Sequence, residues 1–236
     1  MSEFLKLRKE LRSKASPEKA KILRGFFKTD KGEYGEGDVF LGVIVPEIRK
    51  IVKKYAALKL TDAIRLLHSK IHEERLTALL MMVQKFETGR DREKVYRLYL
   101  KNTKYINNWD LVDLSAHKIV GEYLRKPFGP AQGKNFSILM KLARSRNFWE
   151  RRIAVLATFN FIKDHEFTEF LKIAGTLLND KHDLIQKAVG WMLREVGKRD
   201  LKAEERFLKQ HYKEMPRTML RYAIERLPGK KRKWYL

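Results

Sequence analysis

The sequence predicts an all-α protein, an α-solenoid of stacked HEAT-like two-helix repeats with a concave basic groove. Three observations support this fold class. Apolar residues recur with helical period along nearly every long segment, an alanine recurs at nearly constant intervals, and basic residues far outnumber acidic ones. The first two observations describe repeated helix pairs, and the third gives the surface its charge.

Helical spacing is found in most of the chain. Residues 48–55 carry apolar side chains at i, i+3, i+4 and i+7, and residues 76–83 repeat that spacing, which is typical of a helix with one buried face. Only residues 39–45 alternate like a strand. The sequences Asn-x-x-Glu at 147–150 and Asp-x-x-Gln at 183–186 predict helix N-termini, where the first side chain caps a free backbone N–H.

An internal repeat becomes visible when small residues are aligned. The aligned alanines are Ala78, Ala116, Ala154, Ala188 and Ala223, separated by 38, 38, 34 and 35 residues. Two-helix units of this length stack into a right-handed solenoid. The Trp-x-x-Leu-Gly pattern of tetratricopeptide repeats is missing, so HEAT-like repeats are favoured, with a compact helical bundle as the alternative. We expect one domain over residues 1–236, with a basic C-terminal tail at 229–236 and a charged, glycine-containing loop at 28–38.

Composition limits the classes of partner. The 236 residues include 52 Lys and Arg against 29 Asp and Glu, a net charge of +23, which favours DNA, RNA or an anionic membrane surface. A solvated, thermophile-type surface is the alternative. The chain has no cysteine, which excludes disulfides, thiolate nucleophiles and zinc–thiolate sites. No signal peptide and no membrane-length apolar run is visible, so we expect a cytoplasmic monomer without membrane association.

Trp109 and Asp113 are the most informative pair in the chain. They are four residues apart, so on a helix they share one face. A carboxylate beside an indole can neutralise a developing cation, and the basic chain favours a polyanion as its partner. The pair therefore suggests an enzyme that stabilises positive charge at a nucleic-acid sugar. Taken alone, Trp109 is more typical of a core residue and Asp113 of a cap or surface carboxylate.

Four segments together resemble a known family. They are residues 40–49 (Phe-Leu-Gly-Val-Ile-Val-Pro-Glu-Ile-Arg), 108–113 (Asn-Trp-Asp-Leu-Val-Asp), 149–152 (Trp-Glu-Arg-Arg) and 185–195 (Ile-Gln-Lys-Ala-Val-Gly-Trp-Met-Leu-Arg-Glu). These segments are similar to the DNA alkylation repair family, the AlkD-type HEAT-repeat DNA glycosylases. The similarity extends from about Pro17 to Arg226.

This resemblance implies a base-excision-repair enzyme that hydrolyses the N-glycosidic bond of cationic N3- or N7-alkylated purines in duplex DNA, without base flipping. It implies a catalytic role for Asp113, with Trp109 and Trp191 beside it. It also implies DNA-binding roles for Arg152, Arg194 and Lys187. No metal and no cofactor are expected.

The chemistry of these side chains agrees with those roles. As the C1′–N bond breaks, the sugar becomes an oxocarbenium ion, which an ionised Asp113 would stabilise while it orients the attacking water. Trp109 and Trp191 would hold the cation against electron-rich rings, and Arg152 would fix a phosphate. No lysine is singled out for Schiff-base chemistry, so we expect a monofunctional glycosylase.

The fold class and the charge also leave two alternative functions open. A non-catalytic HEAT-repeat scaffold that recognises distorted or branched DNA is the first alternative, and a protein–protein adaptor is the second. His68 and His72 have the i, i+4 spacing of metal ligands, but no third ligand is evident and an exposed polar face is favoured. The basic run Lys230–Lys233 is either a phosphate-contacting arm or a frayed end.

Overall fold

The computed structural model describes residues 1–89, 91–125 and 132–236. Within those ranges the regular secondary structure is helical, apart from one isolated β-bridge between Val39 and Ile71. The strand-like alternation at residues 39–45 therefore forms an extended segment that leads into a helix, and the all-α prediction is confirmed. No helix in the described ranges is both long enough and apolar enough to cross a membrane.

The chain divides into two compact units, residues 1–115 and 116–236. A single repeat domain over residues 1–236 therefore stays a prediction from the sequence. The helices that begin in the first unit are α1 (Glu3–Ser13), α2 (Pro17–Phe26), α3 (Val45–Lys54), α4 (Leu60–Leu67), α5 (His72–Glu87), α6 (Arg92–Lys101) and α7 (Trp109–Ala116), with a 3₁₀ turn at Thr103–Tyr105.

The second unit starts with the last residue of α7 and a π-helical turn at His117–Gly121. Its helices are α8 (Glu122–Arg125), α9 (Gln132–Ala143), α10 (Phe148–Ala157), α11 (Phe159–Lys163), α12 (Thr168–Thr176), α13 (Asp183–Gly197), α14 (Leu201–His211), α15 (Arg217–Ala223) and α16 (Gly229–Tyr235), with a 3₁₀ turn at Ile224–Arg226. The predicted basic tail is thus largely helical, and Tyr235 near its end is buried.

The two predicted helix starts have different outcomes. Asn147 caps α10 as predicted, since its side-chain oxygen accepts a hydrogen bond from the backbone N–H of Trp149 at 3.0 Å. The prediction of Asp183 as an N-cap is wrong by one residue. The cap of α13 is His182, whose Nδ1 accepts from the N–H of Leu184 at 3.3 Å. Asp183 lies in the first turn, where its negative charge interacts favourably with the helix dipole.

The sequence repeat corresponds to repeated contacts. The five aligned alanines are all buried, at 0–1 % exposure: Ala78, Ala116, Ala154, Ala188 and Ala223. Arg75 and Arg151 lie three residues before Ala78 and Ala154. The guanidinium of Arg75 donates to the carbonyl oxygen of Ser69 at 3.0 Å, and that of Arg151 donates to the carbonyl oxygen of Ser145 at 2.9 Å. Equivalent positions therefore form the same local bond in both units.

Close helix packing in the second unit depends on Gly190 in α13. A Cβ atom at this position would overlap the carbonyl oxygen of Met219 and lie 2.6 Å from the Cβ of Tyr222. Both neighbours belong to α15. The absence of a side chain at Gly190 therefore allows α13 and α15 to approach each other closely.

Candidate functional site

An apolar cavity of about 550 Å³ lies in the first unit, between α2, residues 40–46, α5 and the start of α7. Trp109, Asp110 and Asp113 of α7 all line it. Asp113 is half-buried, and most of the other lining side chains are aromatic or aliphatic. The carboxylate and the indole that the sequence placed on one helix face therefore border the same cavity.

The start of α7 is fixed by short polar side chains. Asn108 is fully buried, and its side-chain oxygen accepts a hydrogen bond from the backbone N–H of Trp109 at 2.8 Å. The carboxylate of Asp110 accepts from the N–H of Leu111 at 2.8 Å. These contacts satisfy N–H groups that have no partner within the helix. They also set where the helix begins, and hence where Asp113 lies one turn further on.

A row of stacked rings supports the indole of Trp109. Phe27 stacks on Trp109 with ring centroids 5.0 Å apart, and Phe40 stacks on Phe27 at 5.1 Å. The ring of His72 stacks on Phe40 at 4.5 Å. Phe26 contacts Trp109 edge-on, at 5.5 Å and an interplanar angle of 75°. Offset-stacked and edge-to-face pairs are the favourable aromatic geometries, so the orientation of the indole is well determined.

Behind this row lies a buried network of four ionisable side chains. The two ring nitrogens of His72 bind two carboxylates, with Nε2 2.8 Å from Asp110 Oδ2 and Nδ1 3.2 Å from Asp38 Oδ2. Arg75 also donates to Asp38 Oδ2 from Nη2, at 2.6 Å. All four residues are buried. Buried charges are stable only when they are paired and hydrogen-bonded, and here two cations can offset two anions.

The pKa values agree with that charge balance. Burial disfavours the protonated form of His72, but the charge of Asp110 and the hydrogen bonds to Asp110 and Asp38 outweigh it and raise the His72 pKa to about 9. Burial likewise disfavours ionised Asp38, but its hydrogen bond to His72 and the charge of Arg75 lower the Asp38 pKa below its usual value. At neutral pH, His72 is therefore an imidazolium that donates from both nitrogens.

Glu73, which also lines the cavity, holds the backbone of residues 41–43. Its carboxylate accepts hydrogen bonds from the backbone N–H groups of Leu41 at 3.0 Å, Gly42 at 2.8 Å and Val43 at 3.3 Å. Gly42 has a φ of +83°, and a Cβ there would overlap the carbonyl oxygen of Ser16. Only glycine suits this position, so the extended segment passes close to the start of α2.

In the second unit, the predicted DNA-binding residues Arg152 and Lys187 differ in exposure. Arg152 is 5 % exposed, and its guanidinium donates to the carbonyl oxygen of Leu184. The Lys187 ammonium lies 2.8 Å from the carboxylate of Asp183, four residues earlier on α13, and its side chain is 37 % exposed. Lys187 is therefore accessible to an external phosphate, whereas Arg152 is enclosed.

Trp191 and Arg194 lie further along α13. The half-buried indole of Trp191 donates from Nε1 to Glu195 Oε1 at 3.3 Å. Arg194 forms an ion pair with Glu225, and its side chain is 17 % exposed. Both residues belong to the second compact unit, residues 116–236.

Comparison with known proteins identifies the family. A family model described as DNA alkylation repair enzyme matches residues 7–227. The chain belongs to the DNA alkylation repair enzyme family. A solved structure described as a predicted DNA alkylation repair enzyme from Enterococcus faecalis has a similar fold, with a TM-score of 0.69 and 19 % identity over 92 % of this chain and 98 % of that chain. No match is found among the curated proteins searched.

The histidine pair of this family member does not form a metal site. His68 Nε2 lies 2.7 Å from the side-chain oxygen of Asn102, while His72 binds Asp38 and Asp110. The prediction that both histidines lie on an exposed polar face is wrong for His72, which is buried because two carboxylates compensate its charge. In the part of the chain that the structure describes, no group of three or more His, Cys, Asp or Glu side chains could hold a metal ion.

The buried contacts of His72 with Asp38 and Asp110 are not predicted by its helical spacing, although the repeat contains a signal for one of them. His72 and Asp110 each lie six residues before an aligned alanine, and they contact each other. Phe148 and His182 lie six residues before the next two alanines, and their rings stack at 3.9 Å. Side chains at this repeat position therefore contact each other within each unit.

Proposed function

We propose that this member of the DNA alkylation repair family is a monofunctional DNA glycosylase. Its substrates would be cationic N3- and N7-alkylated purines in duplex DNA, hydrolysed at the N-glycosidic bond without base flipping. The observation that supports this most strongly is the placement of Asp113 and Trp109 in the wall of one largely apolar cavity. In apolar surroundings the effective dielectric constant is lower than in water, so a carboxylate attracts a nearby cation more strongly.

In the proposed reaction the C1′–N bond breaks and its electron pair stays with the purine, which leaves as a neutral base. The sugar becomes an oxocarbenium ion, and Asp113 stabilises its positive charge. A water molecule oriented by Asp113 then adds its oxygen to C1′ and loses a proton to solvent. Trp109 contributes a cation–π contact of about 0.5–2 kcal/mol and excludes water from the carboxylate.

Contacts to DNA are proposed for the second unit. Lys187 would exchange Asp183 for a phosphate oxygen, which is feasible because its side chain is 37 % exposed. Arg194 and Arg152 would have to leave Glu225 and the Leu184 carbonyl oxygen respectively. Trp191 is proposed to contact the sugar and the cationic base. The monomeric state and the cytoplasmic location stay predictions.

The first test is release of N7-methylguanine from a labelled duplex by the wild type and by Asp113→Asn. The variant should release base about 10²- to 10³-fold more slowly, the usual effect of removing one transition-state charge contact. Its affinity for the duplex should be unchanged. Asp62→Asn is a matched control, because Asp62 lies on α4 and does not line the cavity.

Two outcomes would contradict the proposal. Salt-sensitive duplex binding by a wild-type protein that releases no base would favour a non-catalytic scaffold that recognises distorted or branched DNA. Covalent trapping of the protein on lesion DNA by borohydride would show a Schiff-base intermediate, and hence an enzyme that is not monofunctional.

A further inference from the structure

Two large apolar side chains are exposed on α2. Ile22 is 70 % exposed and Phe26 is 60 % exposed. They are four residues apart and so lie on the same face of the helix. Of the residues in α2, only Ala20 is buried. An exposed pair of this size, on a helix face that none of the described elements covers, is typical of a contact surface.

This pair borders the candidate active site. Ile22 and Phe26 line the same cavity as Trp109 and Asp113, and Ile44 lines it from the segment before α3. Ile44 is itself 45 % exposed. The apolar surface is therefore concentrated where the proposed reaction would take place.

The ring of Phe26 is held by its neighbours although it is exposed. It contacts Trp109 edge-on at 5.5 Å, and it contacts Phe27 edge-on at 5.2 Å with an interplanar angle of 88°. Phe27 is buried. A side chain already fixed in this way loses little conformational freedom when it contacts a ligand.

The charges on α2 indicate a polyanionic partner. Four basic side chains on or directly after the helix are exposed: Lys19, Lys21, Arg24 and Lys28. The single acidic residue of the helix is Glu18. Nucleic acid combines phosphates, which these cations would contact, with apolar base and sugar faces, which Phe26 and Ile22 would contact.

We propose that Phe26, together with Ile22, is an apolar wedge that α2 inserts against the base stack of duplex DNA beside the alkylated nucleotide. The proposal rests on the proposed function, because it takes lesion-containing DNA as the ligand. Proteins that insert Phe or Ile between base steps partially unstack them. A damaged base is the least costly to unstack, so the wedge would favour the lesion over undamaged DNA without moving the base out of the helix.

The test uses a duplex with a hydrolysis-resistant alkylpurine analogue and 2-aminopurine as the adjacent base. Binding of the wild type should raise the 2-aminopurine fluorescence, since unstacking relieves its quenching. Phe26→Ala should lose most of this rise, and its preference for the lesion duplex over the undamaged duplex should fall about tenfold, the effect of losing one base–aromatic contact. Phe26→Trp should retain both.

The matched control is Leu5→Ala. Leu5 lies on α1 in the same unit and is 48 % exposed, but it does not line the cavity. This variant should give the wild-type fluorescence rise and the wild-type preference. A loss in Leu5→Ala equal to that in Phe26→Ala would overturn the proposal, because the effect would then belong to exposed apolar residues in general.

Other outcomes separate this proposal from the glycosylase itself. No bond breaks in the fluorescence measurement, so a rise that depends on Phe26 supports the wedge even if the wild type releases no base. An unchanged rise and preference in Phe26→Ala would overturn the wedge and leave the role of Asp113 intact. A change from dimer to monomer in Phe26→Ala, with unchanged fluorescence, would assign this surface to self-association instead.

Discussion

The imidazole of His72 donates from Nε2 to the carboxylate of Asp110 across 2.8 Å, a bond that joins the first residue of α5 to the first turn of α7. Asp110 follows Trp109 directly and precedes Asp113 by three residues. The position of the candidate catalytic carboxylate therefore depends on a buried ion pair. Removing one partner of such a pair is costly, because the other charge stays buried without compensation.

His72→Gln should change the pH dependence of stability. The folded-state pKa of His72 is raised to about 9, from the 6.5 that is usual for a histidine, so its protonation stabilises the folded protein fully below about pH 6.5. That contribution is lost as the pH rises through about 9. The difference in free energy of unfolding between wild type and variant should therefore shrink between pH 6.5 and 9.5, as measured by urea denaturation.

His182→Gln is the control for this measurement. His182 is half-buried, and burial, the largest influence on it, lowers its pKa. Its charge state therefore does not change above neutral pH, and the stability difference from wild type should stay constant between pH 7 and 9.5. A constant difference for His72→Gln as well would show that His72 is neutral in the folded protein.

Trp109→Ala and Trp149→Ala should affect different properties. Trp149 is buried on α10, so its removal should cost about 3–5 kcal/mol of stability. Trp109 is half-buried at the cavity, so its removal should lower stability less. Base release by Trp109→Ala should fall about 2- to 30-fold, which corresponds to one cation–π contact. Denaturation curves would measure the stability of both variants, and single-turnover kinetics would measure their rates of base release. A loss of stability without a loss of rate in Trp109→Ala would show that Trp109 is only a core residue.

Trp109 and Asp113 could be predicted together because their relationship is local. Residues four apart on one helix share a face whatever the helix packs against. His72 contacts Asp38 and Asp110 across 34 and 38 residues, and such contacts depend on how helices pack. Burial of Arg152 has the same origin, because it follows from the position of Leu184 at the start of the next long helix. Repeat length predicts which helices are neighbours, but it does not determine which side chains meet.

Salt should weaken duplex binding strongly. With about 6–10 phosphates neutralised, the logarithm of the association constant should fall with the logarithm of salt concentration at a slope of about −5 to −9. Lys187→Ala should reduce the magnitude of this slope by about one, the effect of losing one phosphate contact. Fluorescence anisotropy of a labelled duplex between low and physiological salt would measure both slopes. A slope near zero for the wild type would contradict DNA as the ligand.

Gly190→Ala should destabilise the second unit. The added Cβ would overlap the Met219 carbonyl oxygen and approach Tyr222, and overpacking of this kind typically costs about 1–3 kcal/mol. Gly175→Ala is the matched control, because Gly175 is exposed on α12 and a Cβ there would meet nothing within 4 Å. That change should stabilise by about 0.4–1 kcal/mol through the unfolded chain. Equal effects of the two substitutions on urea denaturation would contradict the close approach of α13 and α15.

Glu204→Gln should stabilise the protein increasingly as the pH rises. Glu204 is 3 % exposed on α14, and its Oε1 has no hydrogen-bond partner among the described residues. Burial, and then the charge of Glu205, raise the pKa of Glu204 to about 8 from the 4.5 that is usual for a glutamate, although the charge of Arg194 opposes this. Between those pH values the unfolded chain ionises first, so wild-type stability falls as pH rises from about 4.5 to 8.

The glutamine variant carries no titrating group at position 204. Its stability relative to wild type should therefore be lowest at about pH 4.5, grow up to about pH 8, and then level off, because ionisation of the wild-type carboxyl in the folded state is then complete. Urea denaturation at pH 5, 6.5 and 8 would measure this trend. Glu166→Gln is the control, since Glu166 is exposed and its removal should give no such pH-dependent gain. If the difference in free energy of unfolding between Glu204→Gln and wild type stays constant from pH 5 to 8, the Glu204 carboxylate is solvated or paired in the folded protein. That result would contradict the burial of Oε1 without a hydrogen-bond partner.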